Sequence, residues 1–331
     1  MITGKPIRIV SFGKYFPASV SSEDLEAKLG IPNGWSISNS GVNNRHHVSF
    51  ESIGYMGAKA AEKALKEANM SLADVDMLIS AGGTYDYPIP NQASVIKSEM
   101  KDSNSYHFPA IDIDTTCLSF ITALEMASRI LDGKDYKKIL IVSSEIASKG
   151  LNNENFETAT LFGDAAVAVV VEFAPNSESL FIKSQHHTYS EGVYNTLIEG
   201  GGAVKYFKDF PYDKELHSFK MNGKKLLKLT QKTLPQFFND FFKGLNLNIE
   251  QTDIIVPHQA SKIGLQLFKR MYDFKEQQVQ ETLAEYGNCI AASIPLTLAN
   301  AVEKGILKRG DICLMAGTSA GFSIGAILIK Y

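Results

Sequence analysis

A cysteine, a histidine and an asparagine stand where predicted strands give way to turns or helices: Cys117, His258 and Asn288. A cysteine thiolate attacks acyl thioesters and then carries the acyl group covalently. An imidazole and a carboxamide donate hydrogen bonds to a developing oxyanion. Each residue alone also has a structural interpretation, since a free cysteine often serves as a small buried hydrophobe, a strand-end histidine is as often structural, and asparagine is common in turns. Acyl transfer is the chemistry that all three would serve together.

Cys117 is predicted to lie at the N-terminus of a buried helix. Residues 110–114 favour a strand, and the apolar residues of 118–131 nearly encircle a helix, which is typical of a helix with no solvent-facing side. The unpaired N–H groups and the positive dipole end at such a terminus favour thiolate over thiol. The sequence therefore predicts a thiolate nucleophile here, and a small structural cysteine is the alternative.

The other two residues follow a predicted strand and a predicted turn. Residues 252–258 favour a short buried strand that ends in His258 just before a helix, and side chains at the C-terminal ends of strands line the ligand crevice of an open α/β sheet. Gly287 would let a turn place the amide of Asn288 inward. Ser293 is predicted as the N-cap of the next helix.

Two glycine-rich segments have less specific interpretations. Residues 317–330 predict a small-residue loop that enters a closing strand, and N–H groups of this loop can face a developing oxyanion. A tight strand connection is the alternative. Residues 199–203 lack the GxxxxGK[ST] pattern of a phosphate-binding loop, which favours a surface loop. They belong to 175–213, which predicts a strand followed by a loop.

Short β-rich runs alternate with helical patterns along the chain, which is typical of an α/β protein with crossover helices. The segment at Asp76 is echoed 177 residues later (253 minus 76) at Asp253, and the segment at Gly133 is echoed 172 residues later (305 minus 133) at Gly305. The similar offsets predict a duplicated α/β unit, and a chance match of common strand sequences is the alternative. The predicted halves are 1–175, with the nucleophile, and 176–331, with the histidine and asparagine.

The composition excludes several classes of function. The chain has 331 residues, 44% hydrophobic and 21% charged, with a formal charge of -3, so it lacks the broad basic surface that nucleic-acid binding requires. Residues 1–17 lack the long apolar region of a signal peptide, and no run approaches the length of a membrane span. Three cysteines without CxxC spacing argue against a disulfide framework and a zinc cluster. We therefore expect a cytoplasmic protein that binds neither membrane nor nucleic acid.

Taken together, these segments resemble the ketoacyl-acyl carrier protein synthase III family of the thiolase superfamily. The resemblance runs nearly end to end and preserves the order of several independent motifs. These motifs are the nucleophile segment at 112–120, the FGDGAGAVVV pattern at 162–171, the MNG turn at 221–223, PHQA at 257–260 and GNxxAASIP at 287–295. The resemblance implies a thiolase fold, in which duplicated α/β halves form a five-layered αβαβα sandwich.

The resemblance also implies a role for each candidate residue. Cys117 would take an acyl group from acyl-CoA or an acyl-acyl carrier protein, and His258 and Asn288 would hold the thioester carbonyl of a malonyl substrate. Loss of carbon dioxide leaves an enolate oxygen that needs two donors, and a neutral imidazole and an amide supply them. The N–H of Cys117 and the backbone near Gly321 would form the other oxyanion hole. The only cofactor-like groups expected are the coenzyme A or phosphopantetheine thioesters that serve as substrates.

Further residues are expected along the substrate path. The family's WIxxRTGI segment is replaced here by one with Asn39 in place of an arginine associated with coenzyme A, and Ile263 stands where an entrance arginine is often found. Tyr87 aligns with an aromatic residue that a partner subunit contributes to the acyl pocket, which implies a homodimer. The expected substrate-binding residues are Trp35, Tyr87, Phe162, Asn222, Ser261 and Lys262. Those expected to dock an acidic acyl carrier protein are Lys262, Lys269 and Arg270.

Other functions on the same residues are less favoured. An acyltransferase that moves the acyl group to an alcohol or amine would not need both His258 and Asn288. Thiolase chemistry without decarboxylation needs a second acid/base, usually a cysteine in the terminal loop, and 317–325 contains none. An inactive binding protein would not need all three reactive residue types, and a cysteine hydrolase is disfavoured because the site should exclude water from the thioester.

Overall fold

A computed structural model describes residues 3–331 of the chain as strands and helices that alternate in the predicted α/β manner. The strands are β1 (Ile7–Tyr15), β2 (Ala18–Ser21), β3 (Asn44–His47), β4 (Met77–Ala81), β5 (Ala110–Ile113), β6 (Lys138–Glu145), β7 (Ala165–Phe173), β8 (Leu180–Thr188), β9 (Thr196–Leu197), β10 (Lys220–Met221), β11 (Ile254–Pro257), β12 (Ile312–Ser319) and β13 (Ser323–Lys330). The α-helices are α1 (Ser22–Leu29), α2 (Trp35–Asn39), α3 (Ile53–Glu67), α4 (Gln92–Glu99), α5 (Ser119–Ile130), α6 (Phe156–Ala159), α7 (Gly223–Phe242), α8 (Lys262–Met271), α9 (Leu283–Tyr286) and α10 (Ser293–Glu303).

Two mixed sheets have the same strand order and the same strand directions. The five-stranded sheet runs β1-β7-β6-β4-β5, in which β4 is parallel to both of its neighbours and the other pairs are antiparallel. The four-stranded sheet runs β8-β13-β12-β11, in which only β11 and β12 are parallel. Val279 forms a parallel bridge to Ile255 at the outer edge of β11, in the place that β5 occupies in the first sheet. The predicted duplication is therefore confirmed.

The sequence echo at Asp76 and Asp253 has a shared structural cause. Asp76 Oδ2 accepts a hydrogen bond of 2.8 Å from the N–H of Lys138, where β6 begins. Asp253 Oδ2 accepts one of 2.8 Å from the N–H of Ile312, where β12 begins. Each aspartate thus joins the start of a central strand to its parallel neighbour, so the echo is not a chance match. The expected division after residue 175 falls between β7 and β8 and stays a prediction.

Helices form three layers around the two sheets. α5 and α10 lie between the sheets, where Phe120 and Leu298 share one core with strands of both. α3 covers the other face of the first sheet through Met56 and neighbouring alanines. α7 covers the other face of the second sheet through Phe237 and Phe241. The predicted five-layered αβαβα sandwich is confirmed, and α5 is buried nearly all round, as its sequence indicated.

Two local predictions are wrong. Ser293 is the first residue of α10 and not its N-cap, because a 3₁₀ turn at Ile290–Ala292 precedes the helix and the Ser293 hydroxyl accepts a hydrogen bond of 2.9 Å from Cys289 N–H in that turn. The predicted loop from residue 317 is shorter than expected, because 317–319 pair with β13 as the end of β12. The connection between these strands is a turn at 320–322.

Within residues 3–331, the structure has no helix that is long and apolar enough to cross a membrane.

Candidate active site

The same backbone turn occurs twice, once before α5 and once before α10. A 3₁₀ turn at Thr116–Leu118 leads into α5, and the turn at Ile290–Ala292 leads into α10. In both, the hydroxyl of the first α-helical residue, Ser119 or Ser293, accepts a hydrogen bond from the N–H four residues earlier, at 3.0 and 2.9 Å. Each turn opens with a β-branched residue at positive φ, +52° for Thr116 and +49° for Ile290. Such strained backbone is unusual for these residue types and tends to occur at functional sites.

The two turns lie against each other across Gly83. A Cβ atom built on Gly83 would meet Thr116 Cα at 3.2 Å and Ile290 Cγ2 at 3.7 Å. Cys117, which follows Thr116, and Asn288, which precedes Ile290 by two residues, are thereby brought to one place. The absence of a side chain at residue 83 is what permits this close approach.

His258 reaches the same place from the end of β11. Its N–H donates to Ala316 O at 2.8 Å. A Cβ atom on Gly317 would meet His258 Cβ at 2.6 Å and Leu118 Cδ2 at 3.3 Å. His258 therefore lies beside the nucleophile turn, and the three predicted catalytic residues converge although they are far apart in sequence.

The Cys117 thiol is held mainly in its neutral form. Burial, together with the negative charge of Glu145, raises the pKa of Cys117 to about 12. The N–H groups of Ala320 and Cys117 itself and the side chain of Thr116 act in the opposite direction but do not prevail. The predicted thiolate is therefore wrong for the resting site, because desolvation of the sulfur outweighs the helix terminus. Gly321 provides the left-handed residue of the adjacent turn, with φ +77°, and its part in an oxyanion hole stays a prediction.

Glu145 was missed by the sequence analysis, although it lies beside both turns. Its buried carboxyl at the end of β6 accepts a hydrogen bond of 2.8 Å from Gly83 N–H and another from the Thr84 hydroxyl, and it faces the N–H of Ala291. Burial raises the pKa of Glu145 to about 8. The available signal was an acidic residue at the C-terminal end of a buried strand.

The environment of His258 favours a neutral imidazole, as expected. Only 5% of the residue is exposed, and burial lowers its pKa to about 4. Nδ1 has no hydrogen-bond partner within residues 3–331. A neutral imidazole carries one N–H donor, which suits it to bind an oxyanion without neutralising an adjacent carbanion.

The amide of Asn288 is oriented by its own turn. Oδ1 accepts a hydrogen bond of 2.9 Å from Ile290 N–H, and Nδ2 donates to Ala260 O at 3.3 Å. The backbone of Asn288 is bound by the segment just before β7: its N–H donates to Leu161 O at 2.9 Å, and its carbonyl accepts from Gly163 N–H at 3.1 Å. Since Nδ2 carries two hydrogens and one points to Ala260, the other can serve a substrate oxygen.

Gln259 is a second residue that the sequence analysis did not single out. Its buried side chain donates to Pro257 O at 2.8 Å and to Gln280 O at 3.3 Å. Its Oε1 accepts from the N–H groups of Thr282 and Leu283, at 2.9 and 3.1 Å. Gln259 thus joins the histidine segment to α9, the helix that precedes Asn288. Three of its four partners are backbone groups 21 to 24 residues along the chain, which no local pattern reveals.

Comparison with known proteins agrees with this geometry. The family model described as 3-Oxoacyl-[acyl-carrier-protein (ACP)] synthase III matches residues 111–190, and its C-terminal model matches 243–331. The beta-ketoacyl-[acyl-carrier-protein] synthase III of Vesicomyosocius okutanii is 33% identical over 325 residues, which cover 98% of each chain. The chain belongs to the 3-oxoacyl-ACP synthase III family.

Other members of this synthase family are similar over the same length. The Aquifex aeolicus protein named beta-ketoacyl-[acyl-carrier-protein] synthase III is 28% identical over 325 residues, which cover 98% of this chain and 99% of its own. A crystal structure of the Aquifex aeolicus synthase III has a TM-score of 0.86 at 26% identity and covers 98% of this chain and 100% of its own. The Pseudomonas aeruginosa synthase III structure, also with a TM-score of 0.86, is 23% identical, covers 99% of this chain and 98% of its own, and shows the shared fold.

Several residues that the family resemblance assigned to substrate binding have structural contacts in this synthase. Ser261 is the N-cap of α8 and accepts from Gly264 N–H at 3.1 Å. Asn222 is the N-cap of α7. Phe162 is buried and packs edge-on against Phe219, with ring centroids 5.0 Å apart. Their predicted contacts with substrate stay predictions.

The remaining expected residues lie at the surface of the synthase. Trp35 is partly exposed and meets Phe156 edge-on at 6.2 Å, and Tyr87 is exposed. Lys262 Nζ donates to the carbonyl oxygens of Ile37 and Ser38, at 3.3 and 3.0 Å, and so joins α8 to α2. Of the expected docking cations at the end of α8, Lys269 forms an ion pair of 2.8 Å with Glu281, and Arg270 is exposed.

Proposed function

We propose that the chain condenses an acyl group held on Cys117 with a malonyl thioester, with loss of carbon dioxide, to give a 3-oxoacyl thioester. The observation that carries the proposal is the convergence of a neutral imidazole and a free amide hydrogen beside the cysteine. The membership of the synthase III family supports the same reaction. Fatty acid synthesis and specialised polyketide-like synthesis both use such a product.

In the first half-reaction, Cys117 Sγ attacks the carbonyl of the acyl donor. The bond between the carbonyl carbon and the donor sulfur breaks, and the thiol proton leaves with the donor sulfur as a free thiol. The N–H groups of Cys117 and Ala320, which already face the sulfur, are placed to stabilise the tetrahedral oxyanion. Because burial raises the pKa of the Cys117 thiol, we expect its proton to leave during the attack.

In the second half-reaction, the malonyl thioester loses carbon dioxide and becomes an enolate. His258 and the free N–H of Asn288 donate to the enolate oxygen. The enolate carbon then attacks the carbonyl of acyl-Cys117, the carbon–sulfur bond breaks, and Cys117 takes up one proton. Neither donor is an acid strong enough to quench the carbanion, since one is a neutral imidazole and the other an amide.

Mass spectrometry of the intact protein tests both half-reactions. Incubation with a panel of acyl thioesters should add one acyl mass to the wild type and none to the Cys117→Ala variant. Addition of malonyl-CoA or malonyl carrier protein should then remove that mass and release carbon dioxide. Acylation without gas release would favour an acyltransferase that uses an alcohol or amine, and a mass shift on Cys117→Ala would refute the assignment of the nucleophile.

We also propose that the chain works as a homodimer in the cytoplasm. β5 is an edge strand, and the nearby segment bears exposed Tyr85, Tyr87 and Ile89, the last 87% exposed. Native proteins rarely leave such an edge and such apolar side chains uncovered, so a second copy on β5 would account for both.

The three free cysteines are consistent with a reducing compartment. Sedimentation of the wild type and of an Ile111→Lys variant, with the charge on β5, should show a dimer and a monomer respectively; a monomeric wild type would refute the dimer.

A further inference from the structure

The surface around the acyl site consists of four segments, which we call the entrance surface: 35–41, 148–157, 198–220 and 257–264. Leu151 and Phe219, from two of these segments, pack against the buried cluster that contains Phe162, and the backbone of Phe162 forms a bridge with Asn288. Phe219 covers the Phe162 ring, and Leu265, just after the last segment, belongs to the same buried cluster. Gly41 lies against Lys262, and Trp35 lies against Phe156. Because Phe162 is bridged to Asn288, these segments form the surface that a substrate tail extending out of the site would meet.

The entrance surface has no excess of positive charge. It contains six lysines and six carboxylates, so that these charges sum to zero, and none of the chain's arginines. Most of the lysines are already engaged: Lys205 and Lys220 both bind Glu199, and Lys214 forms an ion pair of 2.6 Å with Glu154. The amine of Lys262 is bound to two backbone carbonyls. Only Lys149 and Lys208 are exposed without such a contact in the described chain.

The same four segments expose many large apolar side chains. Val204, for example, is 88% exposed. The others are Ile37, Ile198, Tyr206, Phe207, Phe210, Tyr212 and Ile263. A cluster of this kind, and especially its aromatic residues, is typical of a surface that a protein partner covers.

These features discriminate between the two forms in which an acyl thioester is delivered. Coenzyme A ends in a nucleotide with a diphosphate and a phosphomonoester, which proteins bind through arginines, free lysines or helix N-termini. A carrier protein presents the same pantetheine arm on one phosphodiester and adds a protein surface. Lys224, Lys225 and Lys228 are exposed on the first turns of α7, next to the entrance surface, and form no ion pair within residues 3–331. They offer positive charge to an acidic protein beside the apolar cluster.

We propose that the acyl group reaches Cys117 on the phosphopantetheine arm of an acyl carrier protein and not on coenzyme A. The inference rests on the proposed function, since it specifies the donor for its first half-reaction. The nucleotide of coenzyme A meets a surface here with no net charge, no arginine and many exposed apolar side chains, so it adds little to binding. The carrier protein covers the exposed apolar side chains of that surface, so it strengthens binding.

The experiment compares one acyl group on three carriers: coenzyme A, pantetheine and a purified acyl carrier protein. The rate of Cys117 acylation is followed by intact mass. We expect kcat/KM for acyl-CoA to lie within about threefold of that for acyl-pantetheine, and acyl carrier protein to exceed both by at least about tenfold, a difference of about 1.4 kcal/mol. An acyl-CoA advantage of tenfold or more over acyl-pantetheine overturns the inference, as does a carrier protein no better than pantetheine.

Release of carbon dioxide from enzyme acylated by any of these donors keeps the two proposals distinguishable. If acyl-CoA is the preferred donor and malonyl-dependent gas release follows, the delivery inference fails and the condensing function stands. If no donor acylates Cys117, both fail.

Two pairs of variants locate the effect. Ile263→Arg should raise kcat/KM for acyl-CoA about tenfold and leave acyl-pantetheine unchanged, whereas Gln236→Arg, about 20 Å along α7 from its start, should change neither.

Phe207→Ser should lower kcat/KM for the acyl carrier protein severalfold without affecting acyl-pantetheine. Phe50→Ser, at an exposed phenylalanine outside the entrance surface, is the matched control. Equal effects of Phe207→Ser on both donors would contradict a docking role.

Discussion

Glu145 and Cys117 oppose each other electrostatically: the carboxyl at the end of β6 raises the pKa of the thiol. The same carboxyl accepts from Gly83, which lies between the two turns, and faces the N–H of Ala291 in the asparagine turn, while it disfavours the thiolate in the nucleophile turn. With a pKa of about 8 it is largely protonated at neutral pH, and its charge grows as the pH rises.

Replacement of Glu145 by glutamine should therefore lower the pKa of Cys117, because it removes a nearby negative charge. Desolvation remains the larger cause, so the pKa should stay above that of a free cysteine. The rate at which iodoacetamide alkylates Cys117 should be measured from pH 7 to 11. Its increase with pH should begin at a lower pH in Glu145→Gln than in the wild type. Glu67→Gln, an exposed substitution on α3, should leave the profile unchanged. An alkylation rate in Glu145→Gln that is equal to or below the wild-type rate throughout this range would show that the carboxyl does not raise the pKa of Cys117.

Asn288→Asp should separate the two half-reactions. The aspartate retains an acceptor for Ile290 N–H but loses the donor and places an anion beside the enolate, so carbon dioxide release should fall by about 10²–10³. Acylation of Cys117 should remain within a few-fold of the wild type, since Asn288 does not take part in it. Intact mass and gas release measured on the same sample check this. Undiminished decarboxylation would remove Asn288 from the oxyanion site.

The buried His258 should make the protein less stable in acid. Its folded pKa, about 4, is below the unfolded value of about 6.5, so the unfolded state binds more protons between these values. The stability from a neutral His258 is therefore fully present above about pH 6.5 and is lost as the pH falls toward 4, at up to roughly 1.4 kcal/mol per unit. Burial lowers the pKa of His47 and His186 as well, which adds to the loss.

Thermal unfolding of the wild type and His258→Gln, measured at intervals from pH 7.5 to 4.5, isolates this contribution. The variant should lose less stability over the range than the wild type. His107→Gln, a change at an exposed histidine, serves as the control and should follow the wild type. Parallel curves for wild type and His258→Gln would mean that the pKa of His258 is the same in the folded and unfolded states.

Gly317→Ala should impair condensation more than acylation. Its new Cβ would lie 2.6 Å from His258 Cβ, too close for either atom, so the imidazole must move away from its position. We expect carbon dioxide release to fall at least tenfold while the acyl-enzyme still forms. Gly321→Ala is the matched comparison, because it strains a residue at φ +77° but meets no atom within 4 Å. A larger effect at Gly321 would indicate that backbone strain, and not the placement of His258, limits the reaction.

Much of the fold could be predicted because its signals are local. The apolar residues around α5 repeat within one segment, and the aspartates just before β4 and β11 stand beside recognisable strand sequences, although the strands that they bind begin 62 and 59 residues later. Ser293 was misassigned because the N-cap preference of serine does not reveal the 3₁₀ turn in front of it. The protonation of Cys117 could not be predicted, since it depends on burial and on Glu145, which arrives from another strand. The contacts of Gln259 are equally non-local.

The repeated turn has a consequence for how reactivity is divided within the molecule. Cys117 in the first turn corresponds to Ala291 in the second, 174 residues later (291 minus 117), just as Ser119 corresponds to Ser293 (293 minus 119). One copy carries the sulfur that bonds to the acyl group, whereas the other offers a plain methyl group and turns its N–H toward Glu145. The strained backbone is therefore not what makes a residue a nucleophile. The same turn conformation occurs in both halves. The identity of one side chain in it, cysteine or alanine, decides which half carries the nucleophile.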